Sequence, residues 1–235
     1  MPKIFGSKRH RANLEAAPQV PCTAPEAVAT LKKFKAVKFD QTVNVCMHLG
    51  IDVKQAEQAL RGSISLPRGI GKSKRVVAFC QSDKVGAAMA AGAVKAGGEE
   101  LVQEIEKGWM EFDVAVASPD MMRVISKLGK VLGPKGLMPS PKAGTVTPNV
   151  ADAVKEYSAG KVEYRADTGG NIHAVIGKLS FAEKDLVDNL EFFVKAIEKA
   201  KPATSKGVYI RKITVSGAMT PGVQIKHEAA EPEKE

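Results

Sequence analysis

At 235 residues and 25.0 kDa the chain exceeds one domain of about 150 residues and falls short of two, so one domain carrying an insertion fits. A hydrophobic fraction of 44% beside 26% charged residues excludes a disordered or low-complexity polymer, and no apolar run reaches the roughly 18 residues of a membrane span. The N-terminal MPKIFGSKRHR has no apolar stretch of the secretory kind, so a soluble intracellular protein is expected. Cys22, Cys46 and Cys80 are widely spaced and odd in number, which fits small apolar packing residues better than a disulfide framework or a zinc site.

The net charge of +9 points to a polyanionic partner, and its placement sharpens that reading. Residues 1–69 hold 11 Lys and Arg against 5 Asp and Glu, and residues 159–225 hold 10 against 7. The middle, 70–158, holds 12 against 10, and the tail from Lys226 holds 2 against 4. If the outer segments form one domain around an inserted middle, the outer domain carries nearly all of the excess. Aromatic residues are only 5%, so contacts to phosphate, sugar and base edges are expected in place of stacked bases.

In chain order, a short basic helix over residues 7–17 leads to a break at Pro18 and Pro21. Thr23 and Glu26 form a capping box for a second helix with Val28, Leu31 and Phe34 inward. Val43, Val45, Met47 and Leu49 then alternate with Thr42, Asn44, Cys46 and His48, which predicts a strand with one open face holding Thr42, Asn44 and His48. Residues 52–60 read as a short helix, and 61–66 as a strand stopped by Pro67. From Arg68 a glycine- and lysine-rich connection opens an α/β pattern: a buried strand 76–80, helices 84–96 and 99–107, a buried strand 114–117 and a helix 120–128. A glycine- and proline-rich loop, 129–148, and a helix, 150–158, end it. The outer pattern resumes with strands 162–166 and 171–176 around the turn Asp167, Thr168, Gly169, Gly170. Ser180 and Glu183 suggest a second capping box, opening a helix striped with Leu186, Leu190, Phe193, Val194 and Ile197. A strand 208–215, the loop SGAMTPG and a disordered acidic tail, 229–235, complete the prediction. The fold class expected is α/β: a discontinuous α+β domain from 1–68 and 159–228, with a Rossmann-like α/β domain, 69–158, inserted.

Catalytic signatures fail on spacing. Gly71, Lys72 and Ser73 would end a P-loop, but its first glycine would have to stand at Leu66. No G-x-G-x-x-G follows the strand at 76–80, and His10, His48, His173 and His227 belong to no H-E-x-x-H helix. The chain is expected to be no enzyme and to need no cofactor or metal. In the glycine- and proline-rich loop, Gly133, Lys135, Gly136 and Lys142 could present amides and ammonium groups to phosphate; a tightly turned packing loop is the other reading.

At this loop the residues become distinctive. KLGKVLGPKGLMPSPKAGTVTPNV (127–150) closely resembles the signature of the bacterial large-subunit ribosomal protein L-one family. KFDQTVNVCMHLGID, RGSISLPRGIGK and GKVEYRADTGGNIHAVIGKLSF resemble its other blocks in the same order, together covering about residues 8–225. The resemblance implies two domains, the first built from both chain ends. It also implies binding to large-subunit rRNA at the mobile stalk beside the tRNA exit site, in the cytoplasm or an organelle, without a membrane or an obligate oligomer. Transient contact with exit-site tRNA and repression of the protein's own mRNA through its leader are implied as well. The matching rRNA positions are Lys38, Phe39, Thr42, Arg61, Arg165, Asp167, Gly169, Gly170, Asn171, His173, Ser216, Met219, Thr220, Pro221 and Gly222, with Lys135, Gly136 and Lys142 in the second-domain loop. Phe39 also has a core reading, as phenylalanines beside strands commonly do. The sequence departs from the family pattern at Asn44 (usually an acid), Thr168 and Gly169 (lysine, then threonine), Ala218 (threonine) and Thr220 (glycine). Four of these departures remove a charge or a hydroxyl from the inferred surface, which bears most on the mRNA complex.

Overall fold

The computed structural model describes residues 7–35, 37–55, 57–205 and 207–227. In chain order the helices are α1 (Lys8–Glu15), α2 (Ala24–Lys33), α3 (Ser82–Ala90), α4 (Glu99–Glu106), α5 (Met122–Ile125), α6 (Gly129–Leu132), α7 (Val150–Ser158) and α8 (Glu183–Lys199). The strands are β1 (Thr42–Leu49), β2 (Arg61–Ile64), β3 (Val76–Phe79), β4 (Lys95–Gly97), β5 (Val114–Ala117), β6 (Val162–Arg165), β7 (Asn171–Lys178), β8 (Ile210–Gly217) and β9 (Val223–Ile225). Helix and sheet are mixed as the α/β expectation required. The chain divides into two compact units: Met1–Leu60 with Leu66–Ile70 and Tyr164–Glu235, and Arg61–Ser65 with Gly71–Glu163. Strands β2 and β6 pair in a two-stranded sheet.

The first unit is built on an antiparallel sheet in the order β7-β1-β8-β9. Strict alternation in β1 sends Val43, Val45, Met47 and Leu49 to one face, where all are buried. Ile172, Ala174 and Ile176 from β7 and Ile213 and Val215 from β8 join them. Helices α2 and α8 close that face; Leu186, Leu190, Phe193 and Ile197, spaced four, three and four apart, form the buried stripe of α8. Each such side chain stabilises by about 1.5–3 kcal/mol on burial, so these two helices decide which face of the sheet is dry. The Thr23 box caps α2, its amide donating to Glu26 Oε2 at 2.9 Å, and Phe34 is buried beyond the helix end.

The second unit has a parallel sheet in the order β4-β3-β5. Every residue of β3 and β5 is buried because helices cover both faces. Val76 and Ala78 point into a core with Val154 and Tyr157 of α7, whereas Val77 and Phe79 point into one with Leu101 and Ile105 of α4 and Leu128 and Leu132. Tyr157 is fully buried and its hydroxyl donates to Ala143 O at 2.6 Å; burial pushes its pKa up to about 12.

Several predicted elements are corrected. Residues 53–55 and 57–58 form turns and a bend where a helix was expected, since Asp52 Oδ1 accepts from the Lys54 amide and Gln58 Oε1 from the Asp52 amide, bonds that compete with a helix. The helix expected over 84–96 runs from Ser82 to Ala90, because Gly92 turns the chain at φ +100°, and Lys95–Gly97 becomes a third parallel strand. The helix expected over 120–128 is broken into 3-10 and α segments, and helical turns at Gly129–Leu132 and Pro141–Ala143 interrupt the loop at 129–148. Ser180 does not cap α8: Ala182 does so by position, while the Ser180 amide and hydroxyl bind Asp40 at 3.2 and 2.8 Å. The last predicted strand is shifted to 210–217, and β9 follows the SGAMTPG loop at Val223–Ile225, where no strand was expected. The tail 229–235 lies outside the described residues.

Candidate nucleic-acid interface

With α2 and α8 on one face, the other face of the four-stranded sheet holds the even-numbered residues of β1. The strand register sets them in rows: Thr42 beside Lys178, Asn44 between Val175 and Ser216, Cys46 between His173 and Thr214, and His48 between Asn171 and Lys212. Gln224 extends the third row from β9. Over the eight residues of β1, about 24 Å at 3.4 Å per residue, this surface is hydroxyl, amide, imidazole and ammonium with one thiol and one valine. Groups of this kind donate to phosphate and to sugar and base edges. Lys178 Nζ donates to Thr42 Oγ1 at 3.1 Å, and His48 Nδ1 lies 2.9 Å from Asn171 Oδ1.

One end of the face is the turn at Asp167. Asp167 Oδ1 accepts from the amides of Gly169 at 2.9 Å and Asn171 at 2.7 Å, and both carboxylate oxygens accept from Asn171 Nδ2. These bonds, the Asn171 amide foremost, hold the Asp167 carboxyl below its ordinary range, and His173 Nε2 stands 3.8 Å away. The charge of Asp167 is thus spent inside the turn, where it organises the loop that presents Asn171 and His173. Gly170 has φ +75°, and a Cβ there would come within 3.1 Å of Leu49 O, whose own amide donates to Gly170 O at 2.9 Å. Only glycine takes this position without strain.

The other end is the β8–β9 loop with the approach to β1. Gln41, almost fully buried, accepts the Met219 amide at 2.9 Å, and the Ala218 amide donates to Thr42 O at 3.0 Å. The Thr220 hydroxyl accepts the Gly217 amide at 2.8 Å, which fixes the loop from within. Phe39 and Met219 are 53% and 54% exposed, so Phe39 is not a core residue. They are the large apolar side chains at this end of the polar face.

Of the predicted positions, the first unit brings together Lys38, Phe39, Thr42, Asp167, Gly169, Gly170, Asn171, His173, Ser216, Met219, Thr220 and Gly222 around one sheet face. Arg165 is exposed on β6 just before the turn, and Pro221 is buried. Arg61 falls in the second unit, half-buried on β2, with Lys135, Gly136 and Lys142, which are exposed on the loop. Lys212, Thr214 and Gln224 share this face without being among the predicted positions, although the alternation of Ile213 and Val215 in β8 carried the signal for two of them. Among the described residues no cluster of three or more His, Cys, Asp or Glu could hold a metal ion, and no helix is long and apolar enough to cross a membrane.

Comparison with known proteins shows the family. The chain is 50% identical over 202 residues to the large ribosomal subunit protein uL1 of Burkholderia cenocepacia (strain HI2424), an alignment covering 86% of this chain and 87% of that one. The same figures hold for the protein of that name in Burkholderia orbicola (strain MC0-3). Residues 31–221, nearly all of both described units, match the pattern of one family. The chain belongs to the ribosomal protein L1p/L10e family.

Proposed function

We propose that this chain, a structural and non-enzymatic protein of the large ribosomal subunit by its family, grips large-subunit rRNA through the open face of its four-stranded sheet. One observation carries the reading: the register lines Thr42, Asn44, His48, His173, Lys212, Thr214 and Ser216 along a single face while helices close the other. Phosphate contacts from Lys38 and Lys212 supply affinity, and hydroxyl, amide and glycine-backbone contacts to a fixed RNA shape supply specificity. The first unit acts as the RNA-binding domain and the second as the inserted domain.

The finer reading follows the family resemblance. The rRNA is that of the mobile stalk next to the tRNA exit site, where the protein assists tRNA release in cytoplasmic ribosomes. In the second unit, residues 121–151 hold five Lys and Arg and no Asp or Glu. Arg123, Lys127 and Lys130 recur at helical spacing and are exposed, with Lys135 and Lys142 beyond them. This is the surface proposed to meet tRNA. Binding of the mRNA leader is proposed as the weaker complex, since Asn44, Thr168, Gly169 and Ala218 lack groups usual in the family. Gel-shift titration of the full chain tests these assignments. Stalk rRNA is expected to bind tighter than the leader and far tighter than an unrelated hairpin, and Ser216→Ala to weaken stalk binding at unchanged thermal stability. Equal affinity for all three RNAs would defeat the reading.

A further inference from the structure

The polar surface continues past the end of β1. Beyond Leu49 lies a cleft of about 530 Å3, lined by Gly50, Ile51, Asp52, Gln55, Gln58, Thr204 and Arg211. Its floor is fixed by Gln58, which is buried: Oε1 accepts the Asp52 amide at 2.8 Å, while Nε2 donates to Gln55 Oε1 at 2.8 Å and to Thr204 O at 3.4 Å. That lock holds the loop open without consuming Arg211. The guanidinium is exposed and makes no hydrogen bond or ion pair among the described residues, although it borders a cavity large enough for a small ligand.

Two further observations say what the cleft takes. Residues 199–227, which contain Arg211, hold six Lys and Arg and no Asp or Glu, so the cleft opens beside a run of one charge. It is also continuous with the proposed rRNA face: a Cβ on Gly170 would lie 3.6 Å from Ile51 Cγ1, and Lys212, next to Arg211, stands opposite His48 on the open face. Among the described residues no aromatic ring lines the cleft, so hydrogen bonding and not stacking would hold its occupant.

We infer that this cleft is an additional RNA subsite, receiving one unpaired nucleotide of the strand that crosses the sheet. The phosphate meets the Arg211 guanidinium, and the base or ribose edge meets the Asp52 carboxylate and the Gln55 amide. This inference rests on the rRNA reading above, and the experiment separates the two. Affinity of the full chain for a stalk-rRNA fragment is measured over a salt series, with hydroxyl-radical footprinting of the same complex. Arg211→Gln is expected to bind about tenfold more weakly and to lower the salt slope by about one phosphate's share, with protection lost at one short stretch of RNA and kept elsewhere. Gln55→Glu keeps the acceptor that Gln58 needs but adds a negative charge to the cleft, and it should weaken binding and remove the same protection. If both variants bind with wild-type affinity, slope and footprint, the subsite is wrong while rRNA binding stands. If the wild-type chain does not bind stalk rRNA, both inferences fall together.

Discussion

Gly170 illustrates how much one residue fixes. Its left-handed conformation closes the Asp167 turn, and its carbonyl takes the Leu49 amide, so turn and strand end are set together. Gly170→Ala is expected to cost about 1–2 kcal/mol from the left-handed backbone alone. The crowding against Leu49 O would add to this, and rRNA affinity should drop as Asn171 and His173 lose their placement. Urea denaturation and a binding titration on the same preparation check both effects. The glycine and the turn were legible in the sequence. That Asp167 spends its charge on Asn171 and Gly169 was not, because those bonds depend on the folded path of five successive residues.

At the level of the element, α8 joins two sequence-distant segments through one polar side chain. Asn189 is fully buried on the apolar side of the helix; it accepts the Arg68 amide at 3.1 Å and donates to Gly69 O at 3.0 Å and Ile176 O at 2.8 Å. Asn189→Ala would leave three backbone groups without that partner, and about 3 kcal/mol of destabilisation is expected, read from the shift in chemical-denaturation midpoint. The apolar stripe of α8 could be read from a 3.6-residue period, but the asparagine within it could not be assigned, since its partners lie about 120 residues and 13 residues away. The same limit explains the failed capping box at Ser180. Local spacing favoured Glu183, and a tertiary partner, Asp40, captured the serine instead.

For the whole molecule, charge and surface together predict behaviour that no single residue carries. Affinity for rRNA should fall steeply with added salt, by roughly 0.7–0.9 logarithmic units per tenfold salt for each phosphate neutralised, on the slopes known for single- and double-stranded DNA. A filter-binding series between low and moderate salt measures the slope directly, and a flat profile would argue against phosphate contacts as the source of affinity.

The amino-acid sequence by itself determined the mixed α/β class, the alternation of β1, the continuous apolar strands of the second unit and the family, because period, composition and motif spacing are local properties of the chain. Tertiary structure alone decided which strands became neighbours. The order β7-β1-β8-β9 places Lys212 opposite His48 and Ser216 opposite Asn44, residues more than 160 positions apart. It also set Arg211 at the rim of a polar cleft, without a hydrogen-bond or ion-pair partner among the described residues. Such pairings arise from burying one sheet face beneath α2 and α8, a long-range packing choice that leaves no short-range mark on the sequence.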